Sequence, residues 1–522
     1  MAGVVIVPEK TLKKLNTYIL PQWKICFFTA LIVGLLAHLY KITSWLPNWD
    51  SLVFRYDSQN MLALGRWFLP VVCSFSSFYD LPLLNGVVTI LFHGLGAVCI
   101  CRILDVKKKI TAGMIGAFIA SFPTVTSVMM YNYVADGYGI AFFLSTLAAW
   151  YMTKEKPNYI ISSLLIALST GIYQAYLTVT IMLVLLHLAD RLIFNSVPVT
   201  AILKKAIYML LSGAFGVALY GVVLKILLGA FSVELLDYQG ASATASLSTL
   251  DLHASLYAVK ETFMSFFFDL SGGLNVYVVL NGFILIFTLG YYVKSIVDNK
   301  LYKKPASLLL AVLIGVLLIF GAGALAFINP QVDYHNLMLM GYAVFYLFFL
   351  IIYERGMEKT QSRTAVKCWI VLLTAMVLVI NQVVIANVSY HKAQMAYEKS
   401  YGTLVRIADR IEQTPEAEDC SKLVVIGSLE GSEPYSVNLP PNITGITDGY
   451  ILRADDETVG QSVLCSALND YCGKSYEFLS GDQKRTITQR GDIKAMGTWP
   501  SADCVAVVDD IIVIKLGTEG EK

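Results

Sequence analysis

Between Leu46 and Pro70, just after Trp45, the sequence gathers two carboxylates, Asp50 and Asp57, and two guanidinium groups, Arg55 and Arg66, among Trp49, Tyr56 and Trp67. A carboxylate can take the proton of a hydroxyl nucleophile, and a cation can hold the phosphate of a leaving group. Trp and Tyr favour the headgroup level of a bilayer, where one end of the ring is apolar and the other wet. The combination suits chemistry on a lipid-linked phosphate. Asp50 is the best-placed base, and its competing role is to cap the helix that follows, although Val53 does not complete a capping box. If Asp50 lies within that helix, Asp57 shares its face while Arg55 and Arg66 point nearly opposite. One helix cannot aim all four groups at a single atom, so either Asp50 sits in a loop or other elements complete the site. Arg66 reads as a phosphate anchor or as a snorkelling interfacial side chain, with Trp67 beside it to bind substrate.

Further candidates lie downstream. Asp136, in YNYVADGYGIAFF, stands where an acid entering a span needs a partner, a function or an N-cap role. Lys225 interrupts VVLKILL and could meet a phosphate or snorkel to the headgroups. Tyr173 and Gln174, in GIYQA, offer a hydroxyl and an amide suited to a sugar, or simply a polar turn. His38 reads as a hydrogen-bonded packing residue. Glu234, Asp237, Asp251, Asp269, Asp333 and His335 read as solvated loop residues.

The elements that must position these groups are membrane helices. With 56% hydrophobic and 15% charged residues over 522 positions, the chain is too apolar for an ordinary soluble protein. Apolar stretches predict about eleven spans: Trp23 to Tyr40, Asn85 to Leu104, Ile110 to Met130, Gly137 to Met152, Tyr159 to Thr170, Ala175 to Asp190, Ala206 to Phe231, Tyr277 to Ile296, Ala306 to Ile328, Asn336 to Tyr353 and Cys368 to Asn387. The fifth is too short to cross alone and is expected to stop partway inside a protein-lined cavity. A cytoplasmic N-terminus puts 21 Lys and Arg in inside segments and four, Lys41, Arg55, Arg66 and Lys260, in outside loops, the positive-inside asymmetry. The stretch around Asp50 then faces outward. No cleavable signal precedes the first span, which reads as a retained anchor.

The sequence divides into a membrane domain, 1–387, and a soluble C-terminal domain, 388–522, expected outside the membrane. In the latter, Tyr397 to Gln413 and Val459 to Tyr471 have helical spacing, Leu423 to Ile426 reads as a strand, and Cys504 to Leu516 as a hairpin turning at Asp509 and Asp510. Its 13 basic and 21 acidic residues argue against a surface that hugs anionic headgroups, and nothing in the chain suggests a nucleic-acid partner. Cys26, Cys73, Cys99, Cys101 and Cys368 lie in or beside spans as packing residues. Cys420, Cys465, Cys472 and Cys504 suggest two disulfides in an oxidising compartment, with three connectivities open; a Cys465 to Cys472 bridge needs the helix to end first. Without a CxxC pair, zinc is not expected.

In order and spacing, NWDSLVFRYDSQNMLALGRWF, YNYVADGYGIAF and GIYQAYLTV resemble the Gtr-type polytopic glucosyltransferases that modify O antigen and other surface polysaccharides, of the GT-C superfamily. Trp49 and Asp50 stand where that family has an acid pair, followed by Arg55, Gly65 and Arg66. The resemblance implies transfer of glucose on the outer face from a polyprenyl-phosphate donor to a glycan hydroxyl of the cell surface. It implies Asp50 as base, Arg66 with Arg55 or Lys225 on the leaving phosphate, and Asp136 shaping the cavity. The donor lipid is a substrate, not a cofactor, and the residues leave a divalent ion open. The competing class is a flippase of lipid-linked sugars, which calls for mid-span charges and an internal repeat. An O-acyltransferase using His38 is a third.

Overall fold

The computed structural model describes residues 9, 17–53, 61–194, 197–236, 251–270, 274–356, 362–427, 429 and 457–517. Arg55, Asp57 and Asp237 lie outside them. The first helix, α1 (Pro21–Thr43), is followed by two short ones, α2 (Trp49–Val53) and α3 (Leu69–Cys73). Then come α4 (Pro82–Ile103), α5 (Lys109–Ser121), α6 (Pro123–Met130) and α7 (Asn132–Thr153). The single span expected from Ile110 to Met130 is broken between α5 and α6. Pro123 has no N–H and turns the residue before it away from helical geometry, and Phe122 accordingly sits at φ −59, ψ 139. Helix α1 packs against α4 and α5, and α4 against α7. The α1 to α5 approach is close because Gly116 has no side chain: a Cβ there would lie 2.1 Å from the Cys26 carbonyl oxygen.

The short fifth and sixth segments appear as expected, as α8 (Tyr159–Ile172), a 3-10 turn at Gln174–Tyr176, and α9 (Leu177–Ile193). Asn158 caps α8 by accepting the Ile161 N–H at 3.0 Å. Next come α10 (Val199–Phe231), α11 (Leu252–Phe267), α12 (Val276–Asp298), α13 (Pro305–Ala322), α14 (Ala324–Ile328) and α15 (Ala343–Gly356). Asp251, expected as a loop residue, caps α11 through the His253 and Ala254 N–H groups. Eight helical segments among the described residues are long and apolar enough to cross a membrane. The other three expected spans correspond to α7, α8 and α15.

The last expected span and the Tyr397 to Gln413 helix are one element, α16 (Ser362–Glu412), 51 residues long. At 1.5 Å per residue it runs about 77 Å, far more than a bilayer core needs. It carries the chain straight from the bundle into the C-terminal domain, so the boundary expected at 387 falls inside a continuous helix.

That domain holds a four-stranded sheet in the order β2-β1-β4-β3, from β1 (Lys422–Ile426), β2 (Glu477–Phe478), β3 (Val505–Val508) and β4 (Ile511–Lys515). The expected strand, helix and hairpin are all present. Asp509 and Asp510 turn the hairpin at φ +50 and +60, the backbone that a tight two-residue hairpin requires. Alternation along the strands sends Leu423, Val425, Ile512 and Ile514 to the side of α16 and α17 (Glu457–Cys472). Val424 and Val513 go to the side of α18 (Gly481–Thr488) and α19 (Gly491–Ala495).

The two expected disulfides are a correction: all nine cysteines are free. Cys465 and Cys472 lie on the same unbroken helix, about 10 Å apart along its axis, too far for a bridge. The Cys420 thiol instead donates to the Glu416 carbonyl at 3.2 Å and Cys465 to that of Tyr476 at 3.5 Å.

Candidate active site

The helix that carries Asp50 is capped by another residue. Asn48 accepts the Ser51 N–H on Oδ1 at 2.8 Å, and Ser51 Oγ accepts the Asn48 N–H at 3.0 Å. This reciprocal pair is a capping box one step off the usual residue choice. It leaves the Asp50 carboxyl in the first turn with no capping duty. Burial raises its pKa above the ordinary value, and the guanidinium of Arg66 draws it partway back.

Arg66 is presented by a tight turn. The Gly65 N–H bonds the Leu62 carbonyl at 2.9 Å and the Arg66 N–H that of Met61 at 2.7 Å. Gly65 sits at φ +75, and a Cβ there would meet Tyr220 Oη at 2.6 Å and Gln174 Nε2 at 2.8 Å. Those two side chains hold the turn. Tyr220, on α10, donates to the Gly65 carbonyl at 3.0 Å, and Gln174 Nε2 donates to the Leu64 carbonyl and to Tyr220 Oη, both at 3.1 Å. The Gln174 amide, a candidate for sugar binding, is therefore committed to the loop through its nitrogen.

The guanidinium then lies over an aromatic platform. Its carbon is 4.9 Å from the Tyr173 ring centroid, Nη1 donates to Tyr138 Oη at 3.4 Å, and the Tyr138 and Tyr173 rings stack at 4.6 Å. Beside it the Trp67 ring rests on Gly171, where a Cβ would come within 2.7 Å of the indole. Arg66 Nε and Trp67 Nε1 are both buried donors without a hydrogen-bond partner among the described residues. Buried donors are rarely left unpaired, so this pair calls for an acceptor.

Asp136 is fully buried, and it is no cap, because α7 begins earlier, at Asn132. Its Oδ1 accepts the Gly137 N–H at 2.9 Å and the Cys73 thiol at 3.5 Å, tying α3 to α7. Its Oδ2 has no partner among the described residues. Nearby, Asn132 donates to Asp80 Oδ1 at 2.5 Å, and Asn85 to the Asn132 carbonyl at 2.8 Å. Lys41 is buried, donates to the Leu46 carbonyl at 3.1 Å, and feels the charge of Asp80. Lys225 is exposed on α10. His38 packs as expected, its ring nitrogens on Tyr390 Oη at 2.8 Å and the Ala120 carbonyl at 2.9 Å.

The folded chain thus brings Asp50, Arg66, Trp67, Tyr173 and Gln174 together. Sequence reasoning missed Tyr138 and Tyr220. Tyr138 stands two residues after Asp136 in a motif already singled out, whereas Tyr220 sits in an apolar run that gives no sign of it. Among the described residues no three His, Cys, Asp or Glu side chains converge as a metal would need. The arrangement offers a carboxyl within electrostatic reach of a cation, and two buried donors without a partner among the described residues: groups of the kind a base and an anion site need. A family model described as "Glucosyl transferase GtrII" matches residues 39–348, more than half of the chain, including Asp50, Arg66, Trp67, Asp136, Tyr138, Tyr173, Gln174 and Tyr220. No curated protein and no solved structure matches.

Proposed function

The chain belongs to the GtrII family of glucosyl transferases, and from that premise we propose that it moves glucose from a polyprenyl-phosphate donor to a hydroxyl of a cell-surface polysaccharide. The reaction would take place on the outer face of a bacterial cytoplasmic membrane that holds about eleven membrane segments of the chain, with the N-terminus inside and the 388–522 domain outside. One observation carries the reading: two adjacent buried donors, Arg66 Nε and Trp67 Nε1, have no acceptor among the described residues, and Arg66 acts electrostatically on the Asp50 carboxyl. A donor phosphate would supply that acceptor.

In this mechanism Asp50 takes the proton of the acceptor hydroxyl as its oxygen attacks the sugar C1. The bond from C1 to the phosphate oxygen breaks, and its electron pair leaves on the polyprenyl phosphate. That anion is stable without protonation, so holding its charge is the larger aid. Arg66 does this directly, with Arg55 as a second cation, while Lys225, just past Tyr220, meets the phosphate from the bilayer side. Tyr173, stacked on Tyr138 beneath the guanidinium, would set where Arg66 meets the donor, and Asp136 would fix the cavity wall through Cys73. Asp57, close in sequence to Asp50, is a further acid for acceptor hydroxyls.

The test is transfer of radiolabelled glucose from polyprenyl-phosphate glucose to extracted surface polysaccharides, in vesicles holding wild type or Asp50→Asn. Transfer that collapses in a folded mutant supports the reading. Movement of the donor between leaflets with no transfer would replace it with a flippase.

A further inference from the structure

The two halves of the proposed site are held by different parts of the molecule. Arg66 is fixed from the bundle, by Gln174 after α8 and Tyr220 on α10. Asp50 rides on α2, a helix of five residues, too short to persist on its own. Its cap closes one end, and the C-terminal domain supplies the rest. Leu52 is 4% exposed and is buried in that domain's own core, with Leu404 and Ile407 of α16 and Leu464 and Leu468 of α17. Helix α17 packs directly against α2. Just ahead of α2, the Trp45 indole N–H donates to Tyr471 Oη, at the end of α17, at 2.7 Å. The Tyr471 ring meets Tyr397 and Tyr401 of α16 edge-on, each at 6.1 Å.

We infer that the C-terminal domain positions the catalytic base: α17, seated on α2 through Leu52 and the Trp45 to Tyr471 hydrogen bond, sets where the Asp50 carboxyl stands relative to Arg66. The inference rests on the proposed transferase reading and gives the C-terminal domain a task in the reaction itself. Leu52 and Tyr471 are positioning residues, acting through Asp50. Because α16 is continuous, whatever shifts the C-terminal domain on the last span also shifts the base. Misplacing a reacting group by about 1 Å costs on the order of 100-fold in rate.

The experiment uses the full chain in vesicles, with polyprenyl-phosphate glucose as donor and extracted surface polysaccharide as acceptor. Leu52→Ala empties the contact, and Tyr471→Phe removes one hydroxyl from an otherwise unchanged ring, which keeps the question open should Leu52→Ala not fold. Both are expected to lower kcat, Leu52→Ala by about 10-fold or more, with the donor KM within about twofold of wild type, since the donor groups are held by the bundle. Each substitution is then repeated in the Asp50→Asn background, where neither should cost anything further, because there is no base left to misplace. Losses that add to that of Asp50→Asn, or that appear in the donor KM instead of kcat, overturn the inference. So does wild-type kcat in both single variants. If Asp50→Asn alone keeps wild-type transfer, it is the assignment of the base that fails, a result separate from these.

Discussion

The guanidinium of Arg66 lies 4.9 Å from the centroid of the Tyr173 ring, although the two residues belong to segments separated by several helices. The ring face favours the cation, its stacking on Tyr138 fixes the platform, and Arg66 Nε has no partner among the described residues, as a nitrogen meant for an anion would. Arg66→Ala is expected to cut kcat by about 100- to 1,000-fold, the range for removing one preorganised donor from a developing charge. Arg66→Lys should recover only part of it, because an ammonium cannot reproduce a planar fork over a ring. Steady-state transfer assays of the two variants check this.

The base assignment has a pH signature. A base works as the carboxylate, so if Asp50 is that base the rate rises with pH through its pKa. Burial places that pKa above the ordinary carboxylate value, and the acid limb should lie correspondingly higher. Arg66 pulls the pKa down, so Arg66→Gln should move the limb further up in pH as well as lowering the plateau. A pH profile of kcat/KM for both proteins reads the position of the limb separately from its height. A limb that stays put in Arg66→Gln would mean the two groups do not interact.

Gly65 is the weak point of the turn that aims Arg66. Gly65→Ala forces a side chain into a left-handed backbone at φ +75 and against Tyr220 Oη. Strain of this kind costs about 1–3 kcal/mol. The turn is expected to shift and the donor KM to rise. Tyr220→Phe, which removes only the hydroxyl that holds the Gly65 carbonyl, should give a milder form of the same change. Donor titrations of both variants, with thermal melts, separate misplacement from unfolding.

The nine free thiols make a chemical prediction. Alkylation of the denatured, unreduced protein should modify all nine, and reduction beforehand should add none. A mass increment short of nine labels would mean that a bridge forms.

Much of this architecture was legible in the chain. The apolar runs, the short pair around GIYQA and the hairpin at Asp509 and Asp510 follow from composition, length and turn chemistry, which act locally and leave their mark in local sequence. The motifs around Asp50, Arg66 and Asp136 marked the region where the site forms, and the family match covers all three. Where the structure adds to the reading locally, a competing local rule acts. Pro123 interrupts the helix within a span that hydropathy made continuous, without removing the span, and Asn48 with Ser51 takes the capping role weighed against the base for Asp50.

What the sequence could not supply was anything set by how helices pack. A helical period fixes which residues share a face, and leaves open which other face they meet. So Tyr220 gave no sign that it holds Gly65, Gln174 left a sugar ligand and a polar turn equally open until its amide nitrogen was seen bonded to the Leu64 carbonyl, and nothing about Leu52 showed that it is buried in the core of a domain that begins hundreds of residues later. From the chain alone follow a helical membrane protein with a small α/β domain and the acidic and basic residue types of the candidate site. The fold adds that the turn carrying Arg66 is held by the bundle while α2, which carries Asp50, packs on the C-terminal domain, because that division depends on contacts between segments that no local pattern connects.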